Sequence, residues 1–180
     1  MNGGGWLIAG GLHVDVLYRD LDVIEAWVTD ARSGRFEVLQ QNGYLVGAPT
    51  YLPMGELAQC RVLSGTLPRP DFPASLATTA ERRWRGNAAV ALMFAAAHAR
   101  LGDGVSCAGM LAAAALAAAH ARLAARREWV LNEKGLVDRA GFTAVQPLLA
   151  GPGATPGELA TTVEAVAGVL GIRPHVPRDP

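Results

Sequence analysis

The sequence predicts an α+β chain. A small mixed strand-and-helix portion over residues 1–67 precedes a C-terminal antiparallel helical bundle over residues 74–172, with a tail over residues 173–180. Three observations predict this. Residues 5–18 hold two apolar β-type runs on either side of Gly10-Gly11, which is a hairpin signal. A proline-rich break, Leu67-Pro-Arg-Pro-Asp-Phe-Pro73, divides period-two patterning from period-3.6 patterning. Beyond it, two long Ala-rich stretches meet at a Gly-Asp-Gly turn, which makes antiparallel neighbours of them.

Each element has its own signal. Leu21, Ile24, Trp27, Val28 and Ala31 form a helical stripe from Asp20 to Ser33, stopped by Gly34. Residues Phe36 to Gln40 form a short candidate strand, and Asn42-Gly43 and Gly47 punctuate the loop after it. Pro53 at a first turn opens a short helix expected to reach Leu63. The long helices are expected over Ala74–Leu101 and Val105–Arg127, with Glu128–Leu136 as a continuation or an extra turn. Thr155, Pro156 and Glu158 spell a capping box that starts the last helix, which runs to Leu170.

Composition narrows the function classes. Sixteen basic and sixteen acidic side chains cancel, so no global field draws nucleic acid or an anionic membrane. The only membrane-like stretch, Val105–Ala119, is short, rich in Ala and closely bounded by charge, and reads as a packed internal helix. Cys60 and Cys107 lie far apart in apolar patterns and read as reduced thiols of a cytoplasmic protein.

The residue that calls for a chemical reason is Asp15, set between Val14 and Val16 where a strand centre disfavours a carboxylate. Alternation also allows a plain solvent-facing position. The ordered set Asn2-Gly-Gly-Gly-Trp6, Val14-Asp-Val-Leu-Tyr-Arg-Asp-Leu-Asp22, Gly55-Glu-Leu-Ala-Gln-Cys-Arg-Val-Leu63 and Trp129-Val-Leu-Asn-Glu-Lys-Gly135 resembles bacterial nucleotidyltransferase-domain proteins of the polymerase-β superfamily, aminoglycoside nucleotidyltransferases among them. The resemblance implies transfer of a nucleoside monophosphate from a nucleoside triphosphate (NTP) to an acceptor hydroxyl, with Mg2+ ions held by three carboxylates. It implies that Asp15 is the third, metal-binding catalytic carboxylate, that Arg19 and Lys134 contact the triphosphate, and that Glu133 acts as a base.

The chain departs from that family in lacking a Gly-Ser loop followed by an Asp-x-Asp pair. The reading is therefore a truncated or inactive nucleotidyltransferase-like chain, expected to bind Mg2+ and NTP weakly. The alternative is a non-catalytic helical interaction module, antitoxin- or regulator-like, that forms a homodimer through its Ala-rich bundle. Neither reading involves a membrane or nucleic acid.

The remaining candidates have plainer explanations. Asp20 and Asp22 suit a helix N-terminus better than a metal. Glu56 and Arg61, five apart, do not stack as a helical pair. His98 and His120 read as surface or boundary residues. His13 should share a strand face with Asp15, and Arg82, Arg83 and Arg85 read as a solvated basic face.

Overall fold

Gly10 and Gly11 both adopt left-handed φ, 58° and 80°. A two-residue type I′ turn requires that pair of conformations, and glycine supplies it without strain. The turn joins β1 (Asn2–Ala9) to β2 (Leu12–Arg19) in a computed structural model that describes residues 2–173. The strands pair antiparallel, with Trp6 opposite Asp15, Leu7 opposite Val14 and Ile8 opposite His13. Among the described residues no third strand joins them.

Asp20 caps α1 (Leu21–Arg32), its carboxylate accepting from the Val23 N–H. A second two-stranded ladder pairs β3 (Val38–Leu39) with β4 (Ala48–Pro49). Then α2 (Leu52–Gln59) stops at Cys60, four residues short of the expected Leu63. The Arg69 guanidinium accounts for the stop: it donates to the carbonyls of Ala58 and Cys60 at 3.1 and 2.8 Å, satisfying the helix end.

The helical hairpin follows the sequence pattern closely. α3 (Ala74–Leu101) ends at left-handed Gly102, and α4 (Gly104–Ala125) is capped by Asp103, which accepts from the Ser106 N–H at 3.1 Å. α4 is apolar around its whole circumference, as a central helix must be. Its Ala114, Ala115, Ala117, Ala118, Ala119 and Ala121 are all buried. It is the one described helix long and apolar enough to cross a membrane, and half of that stretch is buried within the fold.

The expected helical continuation through Leu136 does not form. Arg127 takes φ 58°, alone among the described non-glycine residues, and the Glu128 N–H reaches back to the Leu123 carbonyl at 2.9 Å. That is a Schellman ending with arginine at the position glycine usually fills. The strain is offset by two bonds from the Arg127 guanidinium to the Phe72 carbonyl, at 2.8 and 2.6 Å. After it the chain runs through Trp129 and Leu131 without helix. Then come α5 (Leu136–Arg139), α6 (Val145–Ala150) and α7 (Pro156–Leu170), the last with the anticipated capping box in place.

One core joins both halves of the chain. Ala31, Phe36, Tyr51 and Met54 from the first third lie in the same buried cluster as Trp84, Leu92, Leu111 and Leu159 of the bundle. Phe72, in the middle of the proline-rich break, packs its ring 4.4 Å from Trp129 and 6.1 Å from Tyr51. Trp84 donates from Nε1 to the Tyr51 hydroxyl at 2.9 Å. The break is therefore a packed strap across the core. Of the anticipated tail, the residues beyond 173 lie outside the described part.

Candidate functional site

The sequence-derived candidates fall into one neighbourhood and one outlier. Arg19, at the root of β2, donates from Nε to Glu56 Oε2 of α2 at 3.1 Å, and its terminal nitrogen pairs with Oε1. This bidentate geometry fixes both side chains and neutralises the guanidinium. Tyr44 lies close by, half-buried, its hydroxyl donating to the Leu131 carbonyl at 2.7 Å. Burial first, then the carboxylates of Glu56 and Glu133, push its phenol upward, while Arg19 pulls the other way. Glu133 holds the amides that follow Tyr44, and the Arg19–Glu56 pair lies within electrostatic reach of the same phenol.

Glu133 is occupied. Its two oxygens accept from the backbone N–H groups of Leu45 and Val46, at 2.6 and 2.9 Å. A carboxylate that clasps two amides holds a loop, and both of its oxygens are engaged there before any acceptor hydroxyl arrives. Lys134 is exposed, and its backbone N–H donates to Asn132 Oδ1 at 2.9 Å. No acidic partner meets its ammonium among the described residues.

Asp15 is the outlier. It sits four residues out along β2 from Arg19, roughly 13 Å at strand rise, and is exposed beside Trp6 and His13 on one face of the ribbon. Among the described residues, no group of three or more His, Cys, Asp and Glu side chains could hold a metal ion. The donor set at Asp15 does not fit a two-metal clamp, which needs several carboxylates converging on a site.

A groove of ≈ 650 Å3 lies near this neighbourhood, between α1 and α2, lined mainly by Leu21, Ile24, Val28, Pro53 and Leu57. The Arg19–Glu56 pair stands along its wall, and Cys60 adds a half-buried thiol. Sequence reasoning weighed Glu56 against Arg61 alone, not against Arg19, and missed Tyr44. The partners of Glu56 and Tyr44 lie 37 and 87 residues away, so no local spacing announces them.

His120 corrects an expectation. It is buried at the centre of the bundle, its ring stacked on Trp84 at 4.4 Å and 15°, with neither ring nitrogen hydrogen-bonded. His98 does stay near the surface, where its Nδ1 lies 3.4 Å from Asp103.

Comparison of the chain with protein-family models, with curated proteins and with solved structures gives no match.

Proposed function

We propose that this chain is a non-catalytic interaction module that associates with a second copy of itself through the β1–β2 hairpin. The observation that carries the proposal is the ribbon's bareness. On one face Leu12 is 70% exposed, Tyr18 69% and Leu7 53%, while Trp6, Ile8 and Leu17 stand bare on the other. A lone two-stranded hairpin is marginal in water, and apolar side chains on both of its faces need cover.

The register favours a second copy as the cover. The face carrying Leu7, Ala9, Leu12, Val14 and Tyr18 has no ionisable group in the neutral pH range. Stacked on its own copy by a two-fold axis, that face sets no like charges opposite one another. Ribbons stacked this way lie about 10 Å apart, as sheets do. Burying four large side chains per copy is worth on the order of 10 kcal/mol gross, because each is already partly covered. Association costs about 4–15 kcal/mol. Only at the low end of that cost does about 6 kcal/mol remain, so the dimer is a weak one that dissociates between tens of micromolar and millimolar. Most alanines of α4 are buried within a single chain, which supports the hairpin over the bundle as the interface.

Sedimentation velocity across a concentration series tests this. The native chain should pass from monomer to dimer between tens of micromolar and millimolar, and Leu7→Ser with Leu12→Ser should leave it monomeric. A native chain that stays monomeric at the highest concentration, or a double variant that dimerises as well as the parent, overturns the proposal.

The nucleotidyltransferase reading keeps one supporting observation, the placing of Arg19 and Glu133 within electrostatic reach of Tyr44. Against it stand the isolation of Asp15 and the prior commitments of both other groups. Isothermal titration with Mg-ATP separates the two readings. The interaction module gives no micromolar binding, and the transferase reading stands only if such binding is found and Lys134→Ala weakens it.

A further inference from the structure

The basic run Arg82, Arg83 and Arg85 does not behave as one solvated face. Arg83 turns toward the first third of the chain, donating to the Phe36 carbonyl, pairing with Glu37 at 3.0 Å and lying 4.9 Å over the Phe36 ring. Arg82 and Arg85 remain on the other side of α3 and line a hollow of ≈ 540 Å3. The end of α7 brings a third guanidinium to it. Gly171 takes φ 64° and closes the helix, which sends Ile172 into the core and lets Arg173 emerge beside α3. Arg85 is held in place by donating to the Gly171 carbonyl at 2.8 Å, so the same turn fixes two of the three groups.

Three arginines facing one hollow repel each other unless something negative sits among them. Glu81 lines the hollow too and offsets one of the three charges without pairing at contact distance, so the hollow stays net positive. Arg82 and Arg173 have no acceptor among the described residues. Gly86 leaves open space beside them, and Ala89 and Ile172 supply an apolar floor.

We infer that this hollow is a binding site for a multiply charged phosphate anion. Guanidinium forks match phosphoryl oxygens in pairs, and several forks can share one oxyanion. Exposed single contacts are weak. A site of this kind therefore discriminates by charge, taking pyrophosphate before monophosphate and monophosphate before acetate.

The experiment titrates the full chain with pyrophosphate at low salt by calorimetry. Saturable one-to-one binding is expected, at least about tenfold weaker with Arg82→Gln and Arg173→Gln combined. Orthophosphate should bind more weakly than pyrophosphate, and added salt should weaken both. Arg100→Gln, an exposed arginine further along α3, should bind as the parent does. The inference fails if binding does not saturate, if Arg100→Gln loses as much affinity as the double variant, or if the double variant binds unchanged.

Discussion

At the scale of single residues, His120 is the sharpest case. Sequence alone set it on a helix near other alanines, and nothing local distinguishes an inward imidazole from an outward one. Its burial follows from long-range packing: Trp84 on α3 offers a flat ring, and α4 is buried throughout Ala117 to Ala121. Burial pushes the imidazole down to about 4. The folded pKa lies below that of the unfolded chain, so the unfolded state binds the proton first as pH falls. Stability from this group is therefore full above about pH 6.5 and drains away toward pH 4, by roughly 3 kcal/mol in all. Urea midpoints at pH 7.5 and 4.5 should show that loss, and His120→Leu should remove most of it while leaving the carboxylate-driven part. Asp103 and Glu158, held below their ordinary range by hydrogen bonds to helix N-termini, account for a separate loss at lower pH. Parallel pH profiles for parent and variant would mean that the imidazole does not titrate between the two states.

At the scale of elements, legibility tracks how local the signal is. The capping box at Thr155, the Gly102-Asp103 corner and the Asp20 cap are written in three or four adjacent residues, and α1, α3, α4 and α7 lie within a residue or two of where those signals put them. The failures share a cause. α2 is cut short by Arg69 from outside, and α4 ends at an arginine in a conformation that composition does not announce. The segment after it is fixed by distant partners: Glu133 clasps the 45–46 amides, Tyr44 binds the Leu131 carbonyl, and Trp129 and Leu131 lie over Gly55 of α2. Two predictions follow from that seam. Glu133→Gln can accept only one of the two amides well and should cost about 1–2 kcal/mol, with faster hydrogen exchange confined to the loop around Leu45 and Val46. A Cβ at Gly55 would meet the Leu131 methyl at 3.0 Å, the end of a flexible side chain that can shift. Gly55→Ala should thus be close to neutral in thermal melts, the helix gain offsetting the crowding. Gly55→Leu should cost about 1–3 kcal/mol.

At the scale of the whole molecule, the proline-rich break looked like a boundary because prolines and charge interrupt the helical pattern, yet Phe72 makes it part of the core. The real discontinuity lies earlier. β1 and β2 pair with each other, and the Arg19–Glu56 bridge ties β2 to the body. The core, by contrast, is shared, with Phe36 stacked on, and Tyr51 hydrogen-bonded to, the same Trp84 that the bundle buries. Two truncations should therefore behave in opposite ways. A chain beginning at Asp20 keeps its first helix cap and the entire core. At concentrations below dimer formation it should unfold within about 0.5 kcal/mol of the parent, since a half-exposed ion pair contributes little. A chain beginning at Pro68 keeps every long helix but loses Ala31, Phe36, Tyr51 and Met54 from around Trp84. Each large aromatic removed from a core costs about 3–5 kcal/mol, so the two rings alone approach the total of about 5–15 kcal/mol available to a domain. That bundle should keep its far-ultraviolet helical signal, lose the near-ultraviolet signature of fixed tryptophans and melt without a cooperative transition. A bundle that unfolds cooperatively on its own would place the boundary at the prolines after all, and reduce the aromatic cluster to a contact between two independent units.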